Sequence, residues 1–393
     1  MNSNKTSLND WLATAALQRR SNHLQRSRKT LRSEGQMRVL LDQQSLIDFS
    51  SNDYLGLAHD DDLSQAAALG AAQYGVGSGA SALVTGYRDV HEALEQDLAQ
   101  FLQRDRVLLC SSGYQANLAV LGSLASRADT IIQDKLCHAS LIDGAKLSGA
   151  QLKRYPHLDM PALERQLQRT SEGNTLVVSD GIFSMDGDRA PLSELAQLAG
   201  AHHAWLMIDD AHGIGVIGPQ GRGCVATSGL GQNQVPILTG TLGKAFGCAG
   251  AFVAGSDALI DHIVNEGRSY LFTTAISPVI AAASRAALKL VQADQWRRDK
   301  LNEHIEQFRV TAKSLGLALM DSNTPIQPLI VGDAARATGI AQAMLKKGFL
   351  VAAIRPPTVP AGSSRLRITL SAAHEPVQIE QLLQALSECV HEG

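Results

Sequence analysis

Lys244 stands in GTLGKAFG, residues 240–247, among three glycines and directly after the apolar run VPILTG. A lysine on a solvated loop needs no such setting, whereas one that must reach a buried ligand does. Asp209 ends another apolar run, AWLMIDD, and His212 follows three residues later. A carboxylate at the end of so apolar a strand is partly desolvated and costs free energy unless a cation or a donor meets it. Taken alone, Asp209 and Lys244 fit a plain salt bridge as well as they fit catalysis. One ligand nevertheless wants all these groups together. Pyridoxal phosphate (PLP) has an aldehyde that condenses with a lysine, a pyridine nitrogen that needs a carboxylate, and a phosphate suited to hydroxyls at a helix N-terminus. CSSGYQAN, residues 110–117, offers such a terminus with Ser111, Ser112 and Gly113, although an ordinary capped helix reads the same way. Thr241, three residues before Lys244, adds a hydroxyl to the lysine loop.

Competing motifs fall away. GIGVIG, residues 213–218, matches G-x-G-x-x-G literally, but Pro219 follows where a dinucleotide-binding helix would start, and no acid appears about 20 residues on. No G-x-x-x-x-G-K-[ST] and no G-x-S-x-G occurs.

The elements that must carry these residues are readable from periodicity. RVLLCSSG, TIIQD, TLVVSDG, AWLMIDD, VPILTG and GAFVAG are short, nearly continuous apolar runs, and helical patterns such as YQANLAVLGSLASR, MPALERQLQRT and PLSELAQLAGAHH lie among them. That alternation predicts an α/β fold with a mostly parallel sheet covered on both faces. Ligands then bind outside the carboxyl ends of the strands, where Asp209 and Lys244 fall. Beyond about residue 290 the pattern turns to a smaller α+β unit, with IQPLIVG, IAQAMLKKG, FLVAAIRP, RLRITLS and a last helix VQIEQLLQALSECV. The expected organisation is an N-terminal segment 1–50 packed on the small domain, a large cofactor-binding domain 51–290 and a small C-terminal domain 291–393. Leu8, Trp11, Leu12, Ala15 and Ala16 have helical spacing, with Ser7 and Asp10 able to cap the start, so a helix docked on the body is expected. Residues 1–33 also hold seven Lys/Arg and one acid, a composition shared with targeting segments.

With 45% hydrophobic and 19% charged residues the chain affords a large core. A net charge of −3 argues against nucleic acid or an anionic membrane as the main partner, and no apolar run approaches the ~20 residues of a membrane span. Five scattered cysteines without a C-x-x-C pair point to a reducing, cytoplasmic setting and to no metal site.

DDAHGIGVIGPQGRG and TGTLGKAFGCAGAFVAG, with SNDYLGL, DKLCHASLIDGAKLS and DGIFSMDGDRAPL, closely resemble the α-oxoamine synthases, fold-type I PLP enzymes that join an amino acid to an acyl thioester with loss of carbon dioxide. The resemblance covers essentially the whole chain. It implies that Lys244 carries the cofactor and moves the α-proton, that Asp209 pairs with the ring nitrogen, and that His212 and Ser184 bind the ring oxygen. It further implies that His138 lies over the ring, where the residues alone suggest a core histidine, and that Gly113, Tyr114 and Thr241 face the cofactor and its phosphate. Thr273 and Thr274 in YLFTTA would reach the phosphate of a second subunit, implying a homodimer with shared sites. Arg367 would take the amino-acid carboxylate, with Asn52 beside it.

The proline loop IRPPTVPAG, ending at Gly362, resembles the biotin-pathway branch of that family, as does Ala82 in GASALVTG. The branch implies L-alanine and a pimeloyl thioester as substrates, with Thr358 and Arg26 as acyl-side contacts. Arg19, Arg20 and Arg28 lie close enough to Arg26 to compete for its place. Coenzyme A and acyl carrier protein both fit as the acyl carrier. A sister activity such as glycine C-acetyltransferase is the alternative.

Overall fold

A computed structural model describes residues 6–170 and 173–391, which form two compact units. The larger comprises residues 52–302 and 371–373. Its centre is a seven-stranded sheet in the order Arg106–Cys110, Ala251–Gly255, Ile237–Thr241, Trp205–Asp209, Thr175–Asp180, Thr130–Asp134, Gln151–Tyr155. Only Ala251–Gly255 runs against its neighbours. The central strands are buried along their length because both faces are covered, which is why they read as unbroken apolar runs rather than alternating ones.

The strand missing from the sequence reading, Gln151–Tyr155, lies at a sheet edge. It is half exposed and carries Lys153 and Arg154, charges that make an open edge unattractive to another chain.

Two helices bring the site together. Gly113–Leu124 starts from Ser112, whose hydroxyl accepts the Gln115 N–H, and buries Ala116, Ala119, Val120 and Leu121 completely. Ala139–Ser148 starts at His138. The two helices pack closely because residue 144 is glycine: a Cβ there would stand 2.9 Å from Leu121 Cδ1 and 3.2 Å from the Asn117 carbonyl.

The smaller unit takes its described residues from 1–51, 303–370 and 374–393. Strands Arg38–Leu41 and Gln44–Asp48 form a hairpin whose two turn residues, Asp42 and Gln43, both have positive φ, as a two-residue primed turn requires. Phe349–Leu350 pairs with it in parallel. A second sheet, Ile326–Gly332, Ser364–Thr369, Ala352–Ile354, is accompanied by helices Ala334–Lys346 and Pro376–His391.

The N-terminal helix forms over Leu8–Ser21, with Ser7 accepting the Asp10 N–H as expected. Among the described residues the expected docking on the body does not occur. No residue of the helix is buried, and Leu8 and Trp11 are 70% and 60% exposed. Caps and local propensity suffice to form this helix, while its narrow apolar stripe stays open in a single chain. No helix among the described residues is long and apolar enough to cross a membrane, and all five cysteines are free thiols.

Candidate active site

Asp209 and Lys244 come to the same edge of the sheet because their strands are parallel neighbours, with Asp209 in register with Thr239 and Lys244 three residues past the end of Ile237–Thr241. Of the two aspartates in DDAH, the alternation of the strand sends them apart. Asp210 turns away and accepts the Cys224 N–H at 2.6 Å, and burial pushes its carboxyl up to about 7. Asp209, 7% exposed, accepts the Asn117 Nδ2–H at 2.7 Å on one oxygen and the Ala211 N–H at 3.1 Å on the other. These holders are neutral.

The lysine loop is shaped by fewer glycines than its sequence suggests. Gly247 has φ +63°, and a Cβ there would stand 2.4 Å from the Ala58 nitrogen, so this position needs glycine for both reasons. Gly240 lies inside the strand and makes room for Phe252, whose Cζ would be 2.4 Å from a Cβ. Gly243 has no special φ, and a Cβ there would make only ordinary contacts, 3.5 Å from Thr241 Oγ1 and 3.7 Å from the Cys248 carbonyl. Thr241 pins the loop by donating to the Gly250 carbonyl at 3.0 Å and accepting the Gly243 N–H at 3.1 Å.

Lys244 Nζ lies 2.8 Å from His212 Nε2, and His212 Nδ1 lies 2.6 Å from the Tyr54 hydroxyl. Tyr54, fully buried, donates in turn to Asn52 Oδ1 at 3.2 Å. The donors line up in one direction: ammonium to Nε2, Nδ1–H to the phenol oxygen, phenol to the amide oxygen. Thus three of the expected residues, Asn52, His212 and Lys244, belong to one chain of contacts through Tyr54. SNDYLGL contained that tyrosine, but a tyrosine in an apolar context reads as core packing.

His138 caps its own helix and donates its backbone N–H to Asp180 at 2.9 Å. The residue is exposed, yet the protein packed around its ring lowers its pKa, with Asp209 opposing the effect and Lys244 adding to it. Asp180 is buried, and burial together with the charge of Asp209 raises its carboxyl well above the usual range. Ser184 is half-buried in a tight turn in which residues 182 and 189 bridge. Tyr114 is exposed at the first turn of its helix and donates to Asp143. Thr273 and Thr274 border a small hollow with Ser111, Tyr87, His91 and Glu95 of the same chain, and Ser111 Oγ donates to the Thr274 carbonyl at 3.4 Å.

These positions accept PLP. A buried carboxylate held by neutral donors and an amine lie on neighbouring strand ends. At the helix start beside them a Cβ on Gly113 would meet no atom within 4 Å, leaving space for a phosphate.

In the smaller unit, Arg26 donates to the Pro356 carbonyl at 3.1 Å and to Thr358 Oγ1 at 3.5 Å. Residues 332 positions apart, named separately from sequence, are therefore in contact. Arg355 holds the same segment through the His23 carbonyl at 2.6 Å. Arg367 is 5% exposed on strand Ser364–Thr369, and its Nη1 donates to Thr369 Oγ1 at 2.9 Å.

Residues 44–386 match the family described as aminotransferase class I and II. The chain is 51% identical to the 8-amino-7-oxononanoate synthase of Cellvibrio japonicus (strain Ueda107) over 98% of this chain and 96% of that protein. Among solved structures it resembles a high-resolution structure of SPT carrying PLP, with a TM-score of 0.92, 27% identity and 99% of each chain covered. It also resembles the 8-amino-7-oxononanoate synthase of Francisella tularensis, with a TM-score of 0.77, 32% identity and 88% and 98% covered.

Proposed function

The chain belongs to the class I and II aminotransferase family and, within it, to the 8-amino-7-oxononanoate synthases, and we propose that it is a PLP-dependent acyltransferase that joins L-alanine to a pimeloyl thioester. The products are 8-amino-7-oxononanoate, carbon dioxide and free thiol, a step of biotin biosynthesis. The observation that carries the reading is the convergence of Asp209, His212 and Lys244 at the ends of neighbouring strands. When bound, PLP supplies an aldehyde that captures the amino acid and a ring that draws electrons from its α-carbon.

The chain's own residues supply the rest. Lys244 is the attachment point, and its amine removes and returns the proton at the substrate α-carbon. His212 holds that amine through Nε2 and is backed by Tyr54. With PLP bound, His212 and Ser184 would bind its ring oxygen, Asp209 would keep a proton on its ring nitrogen, and His138 would cover its ring. Gly113, Tyr114 and Thr241 would hold the cofactor and its phosphate. Arg367 fixes the alanine carboxylate and so sets which bond at the α-carbon is broken, and Asn52 is a further substrate contact. Arg26 and Thr358 take the acyl chain.

Thr273 and Thr274 serve the phosphate of a second protomer, so the enzyme is a homodimer with shared sites. The free thiols support a reducing, cytoplasmic setting. Coenzyme A and an acyl carrier protein are the two carriers to compare.

A product assay with alanine, serine and glycine against pimeloyl, succinyl and acetyl thioesters tests the reading. Alanine with the pimeloyl thioester should give the highest kcat/KM. A preference for glycine with the acetyl thioester would mean glycine C-acetyltransferase activity instead.

A further inference from the structure

Beneath the site runs a hydrogen-bonded chain that the proposed reaction leaves without a role. It begins at Asp209, both of whose oxygens accept N–H groups. An acceptor-only carboxylate dictates how Asn117 is turned, because its amide nitrogen, not its oxygen, must face Asp209. Thr239 confirms that orientation from the other side, its hydroxyl donating to Asn117 Oδ1 at 3.0 Å. The second hydrogen of Asn117 Nδ2 then goes to Ser140 Oγ at 2.8 Å. Ser140, wholly buried, has its oxygen taken as an acceptor and must point its own hydrogen elsewhere. The group it meets is His138 Nδ1, at 2.7 Å. The Ser140 backbone N–H also approaches Nδ1, at 3.3 Å. Two donors converge on that nitrogen, so it carries no proton.

We propose that Asn117 and Ser140 are positioning residues that transmit the ionised state of Asp209 to His138, locking its imidazole as the neutral tautomer with the proton on Nε2. Each link has one allowed direction once Asp209 is a carboxylate. The far end presents a fixed Nε2–H donor on an exposed residue, where an oxygen of the substrate can accept it. The carboxylate and the ring are set on different elements, a strand end and a helix cap, and Asn117 on a third element joins them. The close packing permitted at Gly144 places Ser140 within reach of Asn117. The lowered pKa of His138 agrees with two donors on Nδ1, which favour the neutral ring. The other charged groups facing His138 are Lys244, Asp209 and Asp143, with Asp180 on its backbone N–H. The inference rests on reading Asp209 and His138 as cofactor partners, and its decisive measurement is independent of turnover.

That measurement is the ring ¹⁵N spectrum of His138 in the full-length protein, assigned by comparison with a His138→Gln variant. Wild type should show Nδ1 unprotonated and Nε2 protonated through neutral pH. S140A should lose the bias toward that tautomer and raise the ring pKa, while S140T, which keeps a hydroxyl, should restore both. N117A frees the serine hydroxyl to rotate and should shift His138 in the same direction as S140A. In the holoenzyme, S140A should lower kcat/KM for alanine about tenfold, the scale of one lost oriented hydrogen bond, with the acid limb of the profile moved to higher pH and the thioester KM little changed. Nδ1 protonated in wild type overturns the proposal without any variant. So does an S140A or N117A ring with unchanged tautomer and pKa. If the tautomer is as stated but alanine is no substrate, the functional reading fails and the relay stands.

Discussion

Replacing His157 by glutamine should destabilise the protein in a strongly pH-dependent way. His157 Nδ1 lies 3.0 Å from Asp134 Oδ1, and Nε2 lies 2.7 Å from Asp188 Oδ2. Asp134, Asp186 and Asp188 crowd the ring closely enough that His157, Asp186 and Asp188 have the look of metal ligands. With both ring nitrogens facing carboxylates, however, the ring acts as a doubly donating cation. Burial alone would lower its pKa, but the two carboxylates outweigh that and raise it to about 9. From the ordinary imidazole value of 6.5, a rise to about 9 corresponds to about 3 kcal/mol of preference for the charged ring. Since the side chain keeps 25% of its exposure, solvent screening brings the expectation down to about 2 kcal/mol. The sign follows from linkage: the folded pKa is raised, so the contribution is complete below about pH 6.5, declines as pH rises toward 9 and vanishes above it. The contact closes the base of the turn that carries Ser184, through Asp188, so its loss should loosen that turn. Urea unfolding of wild type and H157Q at one fixed protein concentration, at pH 6, 7.5 and 9.5, reads the difference directly. About 2 kcal/mol at pH 6 should shrink to a few tenths at pH 9.5. A difference that is the same at all three pH values would refute the charged clamp.

Four other outcomes are expected. Lys244→Ala should fold but retain no borohydride-reducible cofactor at wild-type stoichiometry, checked by absorbance after reduction and dialysis. Asp209→Asn should bind PLP yet lose most of its kcat, each ~1.4 kcal/mol of lost stabilisation costing tenfold in steady-state rate. Arg26→Ala and Thr358→Ala should each raise KM for the pimeloyl thioester more than KM for alanine, because the two side chains are in contact and act on one end of the reaction. Active protein should sediment as a dimer, and a fully active monomer at assay concentration would contradict shared sites.

What the sequence disclosed followed the physics of burial. Strands covered on both faces are unbroken apolar runs, so the central strands of the sheet were legible, and polar residues at or just past the ends of two of them, Asp209 and Lys244, pointed to the candidate site. The edge strand Gln151–Tyr155 was not, because half exposure gives it a polar face that reads as loop. The hairpin of 38–48 escaped for a similar reason: its turn, Asp42-Gln43, lacks the glycine that announces a primed turn. Within the site, charge and nucleophilicity made Asp209 and Lys244 conspicuous, whereas Tyr54, Asn117, Ser140 and Thr239 act only through others. Asn117 did leave a signal, a polar residue on the buried face of a helix otherwise lined by Ala116, Ala119, Val120 and Leu121. A buried amide must find partners for both ends, so its presence in that stripe demanded a donor and two acceptors nearby. Thr239, Asp209 and Ser140 are those partners. Sequence separation hid them, since they lie 23 to 122 residues from Asn117 and only the parallel register of two strands and the close packing at Gly144 bring them to one point. Candidates for the chemistry are thus found by type, and candidates for aiming them by asking where each buried polar atom is satisfied.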